Sequence, residues 1–235
     1  MKKIQTIFIC TLLAACGAGN QAKPNSTLFN KPFQGDFRNS WPFDHKYPVG
    51  YFSDNCEIIA EDHALTWRDE LLEIEWNTKC HNGYDWGLPE GTPLYAVADG
   101  EVVFAESEEP FLCNDKGEVS ALIVRIRHSV FSDTDYETVY AHLSQVDVVE
   151  GQIVTANEQI GLSGSTGCVS GPHLHFAVNR LTGTNNGEKT AVDPFGWNGL
   201  GVDPWSIHPD GAESVFLWQA GKAPSGDYGE FRFRE

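Results

Sequence analysis

The chain has 235 residues, with 16 Lys+Arg against 33 Asp+Glu and a formal net charge of −17. With 41% hydrophobic and only 21% charged residues, the composition is that of a folded globular chain and excludes a disordered acidic one. So acidic a balance, without a basic stripe, argues against a nucleic-acid partner, because phosphates would be repelled.

In chain order, residues 1–16 read Met-Lys-Lys, then a mostly apolar run, then Cys16. A basic start and an apolar run of about a dozen residues make an export signal. The run is shorter than the roughly 20 residues a spanning helix needs. Leu13-Ala14-Ala15-Cys16 resembles the lipobox of bacterial lipoproteins. That resemblance implies cleavage after residue 15, lipidation of Cys16 and an exported, membrane-anchored protein. Gly17, in place of an aspartate, leans toward the outer membrane of a Gram-negative host.

Residues 16–42 are expected to be the lipidated start and a tether, because residues 17–40 are polar and rich in Asn, Gly and Pro. The aromatic stretch Trp41-Pro42-Phe43-Asp44-His45 marks the entry to the main domain, expected over residues 43–200. Residues 201–235 read as an extension packed on that domain. Residues 64–76 are ambiguous between helix and strand.

From residue 90 the pattern is β. Residues 94–98 and 101–105 flank Asp99-Gly100 and read as a hairpin. Residues 121–128, 137–143, 159–163 and 173–178 are further strands. Many short strands without a sustained helical period imply a mostly β fold. Residues 214–218 are apolar enough to dock, and residues 231–235 read as an edge strand.

In an exported chain Cys10 leaves with the signal and Cys16 carries lipid. Cys56, Cys80, Cys113 and Cys168 remain, and four cysteines permit three pairings. Cys56–Cys80 with Cys113–Cys168 is preferred, mainly because the first pair brackets one segment. A Cys₄ zinc site lacks any C-x₂-C spacing.

Three clusters carry chemistry. His81-Asn82-Gly83-Tyr84-Asp85 offers an imidazole and a carboxylate, both good zinc ligands. Tyr140-Ala141-His142-Leu143 offers a second imidazole. In Gly171-Pro172-His173-Leu174-His175-Phe176 the two histidines lie two apart on a strand. They project to one face while Leu174 and Phe176 point to the core. His45, His63, His128 and His208 have no motif partner and read as structural or surface residues.

Taken together, His81-x₃-Asp85, the Gly-Thr-Pro-Leu-Tyr-Ala-Val-Ala-Asp-Gly run at 91–100, Tyr-Ala-His-Leu and Gly-Pro-His-Leu-His-Phe resemble the lysostaphin-type (LytM-like, M23) zinc metallopeptidases over about residues 78–195. The resemblance implies an antiparallel β-sheet domain with a central groove. It implies one Zn²⁺ held by His81, Asp85 and His175, with His142 and His173 placed to move a proton and stabilise charge. It also implies endopeptidase action on peptidoglycan cross-links. Neither a His-Glu-x-x-His helix nor a G-x-S-x-G elbow is present. The chain departs from many members in having Trp76 where they carry a tyrosine upstream of the first ligand. The insert at residues 106–120 is long and acidic and is expected to wall the substrate groove. Two rival readings stay open: a non-catalytic wall-binding or amidase-activating lipoprotein, and a zinc-binding lipoprotein.

Overall fold

The computed structural model describes residues 28–226, apart from 51–55, 57–62, 74–79, 114–115, 132–133 and 183–187. The export signal, Cys16, Trp76 and the edge strand expected at 231–235 lie outside the described residues.

The strands, in chain order, are β1 (Asn39–Trp41), β2 (His63–Leu65), β3 (Leu71–Glu73), β4 (Gly83–Trp86), β5 (Pro93–Tyr95), β6 (Gly100–Ser107), β7 (Phe111–Cys113), β8 (Gly117–Val119), β9 (Leu122–Phe131), β10 (Thr134–Ala141), β11 (Leu143–Val146), β12 (Ile153–Val154), β13 (Gln159–Ser163), β14 (Leu174–Leu181) and β15 (Lys189–Ala191). The main sheet runs β1-β4-β14-β10-β9-β6-β12, with β15 also on β14. A second sheet runs β11-β13-β5, and β2-β3 and β7-β8 form two small ladders. All strand pairs are antiparallel, so the expected mostly β, antiparallel class holds.

Alternation along the strands builds the core. In β14, Leu174, Phe176 and Val178 are fully buried and pack with Tyr140 of β10, Val124 and Ile126 of β9 and Tyr84 and Trp86 of β4. The opposite face of the same strands is left for the site. Gly83 makes this pairing possible, since a Cβ there would sit 2.4 Å from the Phe176 carbonyl oxygen. The close approach sets Asp85 directly across from His175.

Two expectations are corrected. First, residues 94–98 and 101–105 do not form a hairpin. β5 pairs with β13 in the small sheet, while β6 lies between β9 and β12 in the large one. Ala96, Val97 and Ala98 are buried as the chain crosses between sheets. Asp99 fixes the crossing: its carbonyl accepts the His128 Nδ1–H at 2.9 Å and its carboxylate accepts the Ala156 N–H at 2.8 Å. Second, residues 28–42 are not tether. Phe29 and Phe33 are buried in the core, and fully burying a phenylalanine contributes about 1.5–3 kcal/mol. The Phe29 N–H donates to Leu217 O, and Phe29 bridges Trp218 in parallel. Leu217 and Trp218 are themselves fully buried, so the segment at 214–218 does dock.

The ambiguous stretch at 64–76 resolves, where described, into the ladder β2-β3. The disulfides are Cys56–Cys80 and Cys113–Cys168, the preferred pairing. The unpartnered histidines are structural in two cases: His128 is buried between Asp99 and Thr138, and His45 is buried between two carboxylates. His45 Nε2 lies 2.9 Å from Asp193 Oδ2, and Nδ1 lies 2.9 Å from Asp203 Oδ1. The dipeptides Asp193-Pro194 and Asp203-Pro204 therefore clamp one histidine, and Phe195 and Trp205, which directly follow them, are buried.

Candidate metal centre

The structure brings the three sequence clusters to one place. His81 lies just before β4, Asp85 on β4 and His175 on β14, and their donor atoms form one group. His175 Nδ1 is 2.9 Å from Asp85 Oδ1, His81 Nε2 is 3.3 Å from the same oxygen, and the two nitrogens are 3.1 Å apart. These side chains are 13–16% exposed, so the group is sheltered but reachable from solvent.

The group is oriented from outside. The His81 Nδ1–H donates to Pro42 O at 2.9 Å, which turns Nε2 toward Asp85. Asp44 holds the chain leading into His81. Its carboxylate accepts the N–H groups of Cys80 at 2.9 Å and Leu65 at 3.0 Å, and its own N–H donates to His81 O. Cys80 takes the left-handed conformation, with φ of 63°, a strained state for this residue that the surrounding bonds maintain.

His142 and His173 complete the cluster. His142 sits between β10 and β11 with φ of 67°, which breaks the strand and turns its ring toward the others. Its ring centroid is 4.7 Å from that of His173 and 6.1 Å from that of His175. His173 Nε2 lies 3.8 Å from Asp85 Oδ2. The Nδ1–H of His142 donates to Thr166 O at 2.8 Å, and that of His173 to Gly171 O at 2.9 Å.

The electrostatics follow from crowding. Burial alone would raise the Asp85 carboxyl, but His81 and His175 beside it hold it well below the usual range. Burial would lower His81, yet Asp85 and the Pro42 carbonyl raise it. His175 is lowered, by burial first, against the pull of Asp85. Burial, then His173 and His175, push His142 down to about 3.

All five residues singled out in the sequence thus meet at one end of a sheet face. The sequence reading missed Pro42, Asp44, Thr166 and Gly171. Three of these act through backbone carbonyls, for which residue type carries no signal. Asp44 was legible only as part of an aromatic entry segment.

A sheltered His/Asp/His group with two further histidines beside it is an arrangement that can hold one metal ion and leave a position open to water. Residues 79–194 match the model of peptidase family M23, and this stretch of the chain is an M23 domain. Peptidoglycan DD-endopeptidase ShyA of Vibrio cholerae is 43% identical over 98 residues, covering 42% of this chain and 20% of that protein. DD-carboxypeptidase/endopeptidase Mpg of Neisseria meningitidis is 39% identical over 105 residues, covering 45% of this chain and 21% of that protein. The chain therefore spans about a fifth of the length of these curated relatives. Among solved structures, a zinc-containing peptidase from Vibrio cholerae aligns over 64% of this chain and 36% of its own, with 27% identity and a TM-score of 0.42.

Proposed function

We propose that this chain is a zinc-dependent endopeptidase that hydrolyses peptide cross-links of bacterial peptidoglycan, exported and anchored to the envelope through lipid on Cys16. The observation that carries the reading is the convergence of His81, Asp85 and His175 within an M23 domain. The donor set fits Zn²⁺. A tetrahedral ion with bonds of about 2.0–2.1 Å has edges near 3.3 Å, and the three donor separations here run from 2.9 to 3.3 Å.

When bound by these three residues, the ion supplies Lewis acidity, which lowers the pKa of a water toward about 7 and polarises a peptide carbonyl. The protein's own contribution is position and proton handling. Pro42 O holds His81 in the tautomer whose Nε2 is free to ligate, and Asp44 holds the chain leading into it. His142 and His173, with Nδ1 occupied by backbone carbonyls, present Nε2 as acceptor to whatever enters between them. A neutral imidazole there takes a proton from the attacking water and returns it to the leaving amine. The ring that takes the proton also stabilises negative charge on the reacting carbonyl, a state that burial and the neighbouring imidazoles make costly for His142.

The names of the relatives support the cross-link as substrate, and a D-alanyl–diaminopimelate bond is the one proposed. The test is mass analysis of cross-linked muropeptides after digestion by the zinc-loaded protein. New peptide termini support the reading, and the masses identify the bond. A folded, loaded protein that leaves every muropeptide intact contradicts it and favours the binding-module reading.

A further inference from the structure

We propose that the Cys113–Cys168 disulfide and Lys116 are positioning elements for His142 and His173, so that the loop cross-link sets the turnover rate without contributing to metal binding. The proposal rests on the endopeptidase reading above.

The loop concerned is residues 164–171. It supplies both carbonyls that fix the two rings: Thr166 O for His142 and Gly171 O for His173. Its ends are closed by the bridge between Gly164 and His173, where the His173 N–H donates to Gly164 O at 3.1 Å. Between those ends, among the described residues, no backbone–backbone hydrogen bond holds residues 165–172. The two halves of the loop are then held in different ways.

The first half is held by Thr166. Its hydroxyl accepts the Leu122 N–H at 3.0 Å and donates to Leu143 O at 2.9 Å, so it is tied to β9 and β11. Gly167 follows with φ of 85°, and a Cβ there would lie 3.0 Å from Ala121 and 3.4 Å from His142 Nδ1. The second half is held from the β7-β8 hairpin. Cys168 is bonded to Cys113 at the end of β7, and the Lys116 ammonium donates to Val169 O at 2.6 Å. Both contacts fall within three residues of Gly171. The acidic insert therefore has a second role beside any wall it makes: it braces the carbonyl that sets the His173 ring.

The three metal-binding side chains do not depend on this loop. His81 and Asp85 take their support from Pro42, Asp44 and β4, and His175 takes its support from the pairing of β14 with β4. Cutting the cross-link should therefore loosen His173 most and His142 less, because Thr166 keeps its two bonds. Metal content should not change. Misplacement of a catalytic group by about 1 Å can cost about a hundredfold in rate, and a smaller displacement correspondingly less.

The experiment compares the zinc-loaded wild-type protein with Cys113→Ala/Cys168→Ala and with Lys116→Met. Zinc per chain, the thermal midpoint, and kcat and KM on a purified cross-linked muropeptide dimer are measured. Long-range ¹⁵N–¹H imidazole spectra give the tautomer of each ring. The expected result is one zinc per chain in all three proteins and KM within about twofold. The double variant should lose about tenfold or more in kcat, and Lys116→Met a smaller part. The His173 ring should pass from one tautomer to an average while His142 stays fixed. A double variant with unchanged kcat and an unchanged His173 tautomer overturns the proposal, as does loss of zinc in parallel with kcat. Should the double variant unfold, the folded Lys116→Met protein decides by the same two readouts. A wild-type protein that cuts nothing, yet whose His173 loses its single tautomer when the cross-link is removed, refutes the endopeptidase reading and leaves the positioning intact.

Discussion

Replacing His45 by glutamine should remove a pH dependence from the protein's stability. His45 and Asp193 are fully buried and Asp203 nearly so, so solvent screens their interaction little. Burial alone would lower the imidazole, but the hydrogen bonds and charges of Asp193 and Asp203 outweigh it and hold it at about 9. An unfolded histidine titrates near 6.5. The folded pKa is the higher one, so the stabilisation is fully present below about pH 6.5 and is lost as pH rises through about 9. A difference of about 2.5 units at about 1.36 kcal/mol each gives a loss of about 3 kcal/mol. The assay is urea unfolding of wild type and His45→Gln at pH 6 and pH 9.5, at fixed free zinc. Groups away from this buried cluster titrate alike in both proteins and cancel. The wild-type unfolding free energy should fall by about 3 kcal/mol more than the variant's over this interval. Removing the imidazole also leaves two carboxylates buried together, so His45→Gln/Asp203→Asn serves as the reference should the single variant not fold. Equal falls in wild type and reference would refute the assignment of a charged His45 between two carboxylates.

Four further outcomes are expected. His175→Ala should lose zinc, whereas His173→Ala should keep it and lose turnover; zinc analysis beside muropeptide digestion checks this, and equal metal loss in both would show the ligand set to be misassigned. Asp44→Ala frees the N–H groups of Cys80 and Leu65 and should weaken zinc affinity about tenfold to a hundredfold, read by competition with a chelating dye. Gly83→Ala drives a Cβ into the Phe176 carbonyl and should destabilise by about 1–3 kcal/mol or more in urea, with zinc affinity falling as β4 parts from β14. Phe29→Ala should cost about 3–5 kcal/mol by the same measurement, because that ring is core and not tether.

The chemistry of the site was legible because it sits in local patterns. His173 and His175 share a strand face by the period of two, and Leu174 and Phe176 are buried as that period requires. Gln159–Ser163 was read as a strand at the observed bounds. What was not legible depended on distant partners. His45 looks isolated because Asp193 and Asp203 are 148 and 158 residues away along the chain. Residues 28–42 look like linker by their Asn, Gly and Pro, while Phe29, Phe33 and Phe37 are the hint that the segment packs on the core, where Phe29 meets Leu217 and Trp218. Asp99-Gly100 has the composition of a hairpin turn, yet the chain uses it to pass from one sheet to another. That choice is set by β13 and β9 waiting as partners, not by the dipeptide.

The central claim is that one Zn²⁺ on His81, Asp85 and His175 is required for cutting peptidoglycan peptides. Its most direct test is reconstitution: the protein is stripped with a chelator, zinc is titrated back, and release of new termini from cross-linked muropeptides is followed by mass spectrometry. The account predicts no cleavage in the stripped protein, recovery that saturates at one zinc per chain, and no recovery in His81→Ala or His175→Ala. Cleavage that persists without metal, or a fully loaded wild-type protein that cuts nothing, would contradict it.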